Sequence, residues 1–300
     1  MIAELHTLIA VVRHGSFAAA GEQIGLTQSA VSSQIQRLEA ALGLLLFDRT
    51  GRSAVLNEDG ARVLARAEEI VARVARLGDP GGEEELASSL RIGAIASVQS
   101  ALLPRALAAL KREHPRLLVH IAPGVSMKLM DQLDSAEIDA ALMIRPPFGI
   151  LPDMRWQPLI YEPFKLLVRS DVKGRDWRSL LSAQPFLRYE RSSFGGRLVT
   201  RFLRDNRLVV QASMELDEIA GLTRLVAEGL GVALVPLVEA YLPLPAEVRA
   251  VSLGEHTFYR EIGLLRRAQS SRGPVIQELQ RCLLQAVAPG SGAAPARKTG

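Results

Sequence analysis

The stretch from Thr27 to Gly43, TQSAVSSQIQRLEAALG, constrains the chain most. Val31, Ile35, Leu38 and Leu42 recur at spacings of four, three and four, one apolar stripe of an α-helix. On that helix Ser29, Ser33 and Gln36 point away from the stripe, and Gln28 and Ser32 lie at its margins. Thr27 is a good N-cap. An ordinary surface helix carries Lys and Glu on its outer face; this one carries short polar groups that both donate and accept. Such a face suits close approach to base edges in a major groove. A merely solvated helix is the bland alternative.

The preceding residues give the helix a setting. In IAELHTLIAVVR, residues 2–13, Leu5, Leu8, Ile9 and Val12 share a face, and Gly15 ends the helix. Ser16 caps a short second helix, FAAAGEQIG, whose three alanines permit tight crossing. Gly25-Leu26 then turns the chain into Thr27, completing a helix-turn-helix. After Gly43, LLLFDRTGRSAVLN reads as two short strands around Thr50-Gly51, a β-wing carrying Arg49 and Arg52. The expected DNA contacts are Thr27, Gln28, Ser29, Ser32, Ser33 and Gln36 on the helix, with Arg49 and Arg52 on the wing.

Net charge is +4, yet residues 1–60 hold four Arg and no Lys against six acids and are formally −2. Overall basicity therefore does not argue for DNA binding. What remains is local: the wing arginines, and helix N-termini whose N–H groups suit phosphates. No apolar run approaches the ~18–20 residues of a membrane span. The N-terminus lacks a basic region followed by a small-residue cleavage site, so a cytoplasmic protein is expected. Cys282 is the sole cysteine, which excludes an intramolecular disulfide, and its neighbours Leu279, Leu283 and Leu284 mark it as a core residue.

Asn57 caps a further helix that runs to Leu77. Val63, Ala67, Ile70, Val74 and Leu77 form a heptad seam, which reads as a dimerisation surface. Two heptads are too few for a free coiled coil, so dimerisation needs help from elsewhere; the alternative is packing on the chain's own core. Gly78-Asp79-Pro80-Gly81-Gly82 breaks the helix, and Glu83-Glu84-Glu85 reads as a solvated hinge.

From Leu90 the rhythm changes. LRIGAIA, LLVHIA and DAALMI are short apolar strands separated by helical stretches 101–113 and 126–136, an alternation that predicts a parallel sheet flanked by helices. A second series follows: FKLLVRS, PFLRYE, LVVQAS and GVALVP, with helices near 194–205 and 217–229. A later strand, EIGLLRR, and a helix over 275–287 return to the first subdomain. The segment from Pro289, rich in Gly, Ala and Pro, is expected to be disordered.

In open α/β sheets a ligand sits beyond the carboxyl ends of strands, where helices begin. Three such places are legible: Ser97 with Gln99 and Ser100, Ser126, and the run Arg191–Gly196 with Ser192 and Ser193. Hydroxyls beside free N–H groups suit a carboxylate or another small anion. Plain N-capping is the alternative for each serine taken alone. No catalytic set appears, His6, His14, His114, His120 and His256 are scattered without a metal-ligand pair, and no cofactor is expected.

The series Phe17-Ala18-Ala19-Ala20, Thr27-Gln28-Ser29-Ala30-Val31-Ser32, Gln34-Ile35, Leu38-Glu39, Leu42-Gly43 and Leu46-Phe47-Asp48-Arg49 resembles the LysR-type transcriptional regulators. Ser33 departs from the longer side chain many members carry there. The resemblance implies an α/β fold with an N-terminal winged helix-turn-helix, a linker helix and a two-lobed periplasmic-binding-protein-like effector domain. It divides the chain into 1–58, a dimerisation helix and hinge over 59–88, an effector domain over 89–288, and a tail over 289–300. Lobe 1 would comprise 89–161 and 267–288, and lobe 2 would comprise 162–266. It also implies a homodimer or dimer of dimers on operator DNA, a small-molecule effector near Ser97 and Ser126, RNA polymerase as a further partner, no membrane and no enzymatic activity. A nucleoid-type DNA-binding protein without effector, and an enzyme using the two-lobed domain, are the rival readings.

Overall fold

The computed structural model describes residues 1–48, 55–74, 89–270 and 272–287. Helices α1 (Ile2–His14), α2 (Phe17–Ile24), α3 (Gln28–Leu42) and α4 (Glu58–Val74) build the N-terminal domain. Leu5, Leu8, Val11, Ala20, Val31, Ile35 and Leu38 close its core. The two caps expected from sequence form: Ser16 Oγ accepts from Ala19 N–H at 3.1 Å and Thr27 Oγ1 from Ala30 N–H at 3.2 Å. Between α2 and α3, Gly25 takes a left-handed φ of 70°, which lets the chain reverse within three residues. The buried stripe of α3 stops one turn early. Leu42 is 39% exposed because the core that holds Val31, Ile35 and Leu38 does not extend beneath the last turn.

The wing begins as expected, with Phe47 bridged antiparallel to Leu56 and Asp48 N–H donating to Val55 at 2.9 Å. Its tip, with Arg49 and Arg52, lies outside the described residues. Asn57 caps α4, its Oδ1 accepting from Gly60 N–H at 2.8 Å. The stripe that α4 buries differs from the predicted seam. Ala67 and Val71 are buried against the domain's own core and Val63 packs beside them, whereas Ile70 is 43% exposed. Helix α1 needs an apolar cover, and Val63 and Ala67 supply it, which leaves Ile70 facing outward. Leu77 lies outside the described residues.

Among the described residues the second domain is a nine-stranded mixed sheet, and the parallel pairing expected of its first three strands forms. β1 (Ser89–Ala94), β2 (Leu118–Pro123) and β3 (Ala140–Ile144) run parallel, with α5 (Ala96–Gln99), α6 (Leu102–Glu113) and α7 (Ser126–Asp134) in their connections. The 16-residue β4 (Met154–Arg169) then leaves lobe 1 for lobe 2. In lobe 2, α8 (Trp177–Ala183), β5 (Phe186–Tyr189), α9 (Phe194–Asp205), β6 (Ala212–Leu216), α10 (Ile219–Ala227), β7 (Val232–Pro236) and β8 (Val248–Val251) follow in order. The apolar run LVVQAS suggested an earlier strand. Val209 is instead 95% exposed, because the pairing with β5 starts only at Phe186↔Ala212.

β9 (Tyr259–Arg267) returns to lobe 1 and α11 (Gly273–Ala286) finishes there, covering α6 with Leu279, Cys282 and Leu283 in the core. The return falls earlier than residue 267. Ile262, Leu264 and Leu265 already sit in the first lobe's core and pair with β3, so lobe 2 ends near Phe258. β4 and β9 form an antiparallel ladder from Met154↔Arg267 to Pro163↔Tyr259, and both lobes hang on it. At Gly263 a Cβ would stand 2.5 Å from the Gln157 carbonyl oxygen and 2.4 Å from the Trp156 ring. Gly263→Ala should therefore cost about 1–3 kcal/mol through strand displacement, read as a lowered Tm in a thermal melt.

Candidate functional site

A cavity of about 470 Å³ lies between the lobes, at the carboxyl ends of β1, β2 and β5. Ser97, Gln99, Ser126, Ser192 and Ser193 all line it; Ser100 does not, its Oγ donating to the Ala96 carbonyl at 3.0 Å on the surface. Side-chain contacts also join the two lobes. Phe148 and Phe194 meet edge to face with centroids 5.7 Å apart, and Arg105 forks onto Glu239 at 2.8 and 3.0 Å.

Ser97 and Ser126 are buried and neither is a helix cap: Ile95 and Val125 hold those positions without side-chain cap bonds. Each hydroxyl oxygen instead accepts a bond from the protein. Arg260 Nη2 donates to Ser97 Oγ at 2.9 Å, and Ile144 N–H donates to Ser126 Oγ at 3.2 Å. With an acceptor lone pair occupied, each hydroxyl keeps its proton to donate. Ser126 also opens α7, whose first-turn N–H groups have no intrahelical acceptors. On this wall, then, both serine hydroxyls keep a proton free to donate into the cavity. Gln99 turns away, donating to Ala94 O at 2.6 Å, and Ser193 spends its oxygen capping α9 through Gly196 N–H at 3.1 Å.

The floor was not visible in sequence. Arg260 is 1% exposed, lines the cavity and forms a buried ion pair with Glu162. The two face each other across the β4–β9 ladder, so the ion pair sits where the chain crosses between lobes. No local sequence signal marked them, because both strands carry further charges: Arg155, Lys165 and Arg169 on β4, and Glu261, Arg266 and Arg267 on β9.

The second-lobe wall is acidic, with Glu190, Asp217 and Glu218 lining the cavity. Glu190 Oε1 accepts from Ser192 N–H at 3.1 Å, and Glu218 caps α10 through Ala220 N–H at 3.1 Å. Asp217 Oδ1 is buried without a hydrogen-bond partner among the described residues. Burial raises the Asp217 carboxyl above the usual carboxylate range; a Ser193 hydrogen bond opposes this, and Glu190 and Glu218 add to it. Burial likewise pushes the Tyr189 hydroxyl up to about 12.

In the N-terminal domain, Gln28, Ser29, Ser33 and Gln36 are exposed along α3, while Ser32 is half-buried. Thr27 is exposed too, but its oxygen is engaged as the cap and by Ser29 Oγ at 3.0 Å. Of the six helix residues expected to contact DNA, Gln28, Ser29, Ser33 and Gln36 thus stand exposed without a capping role. The fold also brings Glu113, His114 and Glu278 within 4.8 Å, a grouping that sequence spacing concealed; Arg281 pairs with both carboxylates.

Removing one half of a buried pair leaves the other charge uncompensated. Arg260→Met should cost about 3–5 kcal/mol, and Arg260→Met with Glu162→Leu should recover most of it. Denaturant unfolding of the single and double variants checks this.

Residues 83–288 match the family model for the LysR substrate binding domain, and residues 2–61 match that for the bacterial regulatory helix-turn-helix protein, lysR family. The transcriptional regulator CfxR of Cupriavidus necator is 32% identical over 242 residues, covering 78% of this chain and 75% of that protein. A probable hydrogen peroxide-inducible genes activator of Streptomyces viridosporus is 27% identical over 295 residues, covering 95% and 94%. A full-length OxyR variant from Pseudomonas aeruginosa shares the fold with a TM-score of 0.60 at 23% identity, covering 98% of this chain and 99% of that one. Two domain matches that together span nearly the whole chain, a relative above 30% identity and the helix-turn-helix joined to a two-lobed domain agree: the chain belongs to the LysR family of DNA-binding transcriptional regulators.

Proposed function

We propose that this regulator reads its operator with Gln28, Ser29, Ser33 and Gln36 of α3, and that a small effector carrying an anionic group governs that reading from the cavity between the lobes. The observation that carries the proposal is the course of α7. Its first residue, Ser126, lines the cavity. Its last, Asp134, pairs with Arg13 at the end of α1, and Arg267 donates to the Asp134 carbonyl at 3.0 Å. Arg13 is only 3% exposed and also reaches Asp153 at 3.2 Å. One nine-residue helix thus touches ligand space at one end and the DNA-binding domain at the other. A ligand that draws on Ser126 shifts this helix, and with it the seating of the helix-turn-helix.

The protein acts as a homodimer or dimer of dimers, with Ile70 and Val74 of α4 as the contact face, so that two α3 helices meet two half-sites. Arg49 and Arg52 on the wing hold phosphates. RNA polymerase is the partner on which an altered DNA bend acts, and the cytoplasm is where it works. A two-cysteine redox switch is not available: Cys282 is the one cysteine, it is fully buried, and burial pushes its thiol up.

With sites selected from a random DNA pool, Gln28→Ala should lose about 1–3 kcal/mol on the selected sequence and little on random DNA, measured by binding titration. Equal losses on both would remove base reading from Gln28. Ser126→Ala should shift the effector midpoint about tenfold or more while lowering Tm, because Ile144 N–H loses its acceptor. A lowered Tm with an unmoved midpoint would confine Ser126 to that internal bond.

A further inference from the structure

The cavity's two walls differ in what they ask of a ligand. The first-lobe wall offers donors: the Ser97 and Ser126 hydroxyls and the start of α7. Among the described residues, the second-lobe wall offers three carboxylates as acceptors, and the one cationic side chain lining the cavity, Arg260, is already matched by Glu162. An effector that is simply an anion would be repelled by Glu190, Asp217 and Glu218.

Two groups on the acidic wall are unspent. Asp217 Oδ1 is buried and unpartnered. Tyr189 is 4% exposed, lines the cavity with its ring pressed on Gly195, and its hydroxyl has no hydrogen-bond partner among the described residues. A buried acceptor left open costs stability, and a protein keeps such a group where a ligand completes it.

We propose that the effector is a small amino carboxylate, its carboxylate held by Ser126 and Ser97 and its protonated amine held by Asp217 with the Tyr189 hydroxyl. Glu190 and Glu218 supply the surrounding negative field that favours the cation. The inference rests on the proposed function, because it takes the same cavity as the effector site. It explains what an anion site alone does not, namely why the wall opposite the serines is acidic. A carboxylate poised against two others is restored to its ionised form by an ammonium group, which is a differential interaction that draws lobe 2 toward lobe 1.

The full-length protein is tested by thermal shift and calorimetry against the common amino acids and short ω-amino carboxylates. Each is paired with its des-amino carboxylate and its decarboxylated amine. At least one amino carboxylate should raise Tm and change operator affinity, and both of its truncated partners should bind about tenfold or more weakly. Asp217→Asn should weaken that compound by a similar factor while raising the Tm of the free protein. The sign follows from the raised carboxyl: the folded state holds its proton more tightly than the unfolded chain, so stability is lost as pH climbs through that carboxyl's range, and the amide removes the loss. A residue with only a structural role would lower Tm instead.

Des-amino carboxylates that bind as well as their amino parents, with Asp217→Asn neutral and Ser126→Ala still weakening them, would overturn the amine site and leave the cleft reading standing. Compounds whose binding neither variant alters would overturn both. A panel in which no amino carboxylate binds overturns the inference.

Discussion

The effector domain depends on one buried ion pair. Glu162 and Arg260 face each other across the β4–β9 ladder at the point where both strands pass between lobes. Burying two charges is expensive, and their attraction repays the cost only when the geometry is good and the remaining donors are used. Arg260 meets that condition by also bonding Ser97, so the lobe junction and the floor of the cavity are one structure. An apolar pair of the same volume would pack as well, but it would neither hold Ser97 nor fix the register at which one lobe ends and the other begins. The ladder's tolerance is small elsewhere too: at Gly263 the chain passes so close to Trp156 and Gln157 that a methyl group does not fit.

The N-terminal domain solves a different problem, approaching a polyanion with a formally negative segment. Its answer is placement rather than sum. The α3 face is free of charge over Gln28, Ser29, Ser33 and Gln36, and the one arginine on that helix is exposed and lies 3.4 Å from Glu4. Arg13, which adds to the count of cations, is withdrawn into the junction with the effector domain and serves Asp134 and Asp153 instead. Cation count and DNA-binding capacity are therefore decoupled in this chain. On the proposed reading, attraction to phosphate falls to the wing arginines and helix N-termini, and sequence reading to hydrogen-bond groups on α3.

Periodicity and cap chemistry settled the local elements. Ser16, Thr27 and Asn57 were recognisable as caps because a short oxygen three residues ahead of an unpaired N–H needs no distant partner. The alternation of short apolar strands with helices was enough to imply an α/β domain, and the serines after β1 and β2 were legible because strand carboxyl ends next to helix starts are where ligands collect. Elements whose identity rests on a neighbour were misread. Leu42 belongs to the apolar stripe by spacing yet lies beyond the core; Val63 and Ala67 fit a heptad seam yet serve α1; LVVQAS has strand composition but no strand to pair with before Ala212.

The sequence alone determined the helix-turn-helix, the family, the two-lobed plan and the serines at one wall of the cavity, since each is carried by residues close together in the chain or by repeats of fixed period. Only the tertiary structure decided the acceptor side. Tyr189 and Glu190 stand at the end of β5 and Asp217 and Glu218 in the turn after β6, while Glu162 and Arg260 come from strands nearly a hundred residues apart; nothing in their local spacing marks them as neighbours. Their chemistry exists only because the β4–β9 crossing folds one lobe over the other, and a charge gains meaning from what it faces rather than from what precedes it in the chain.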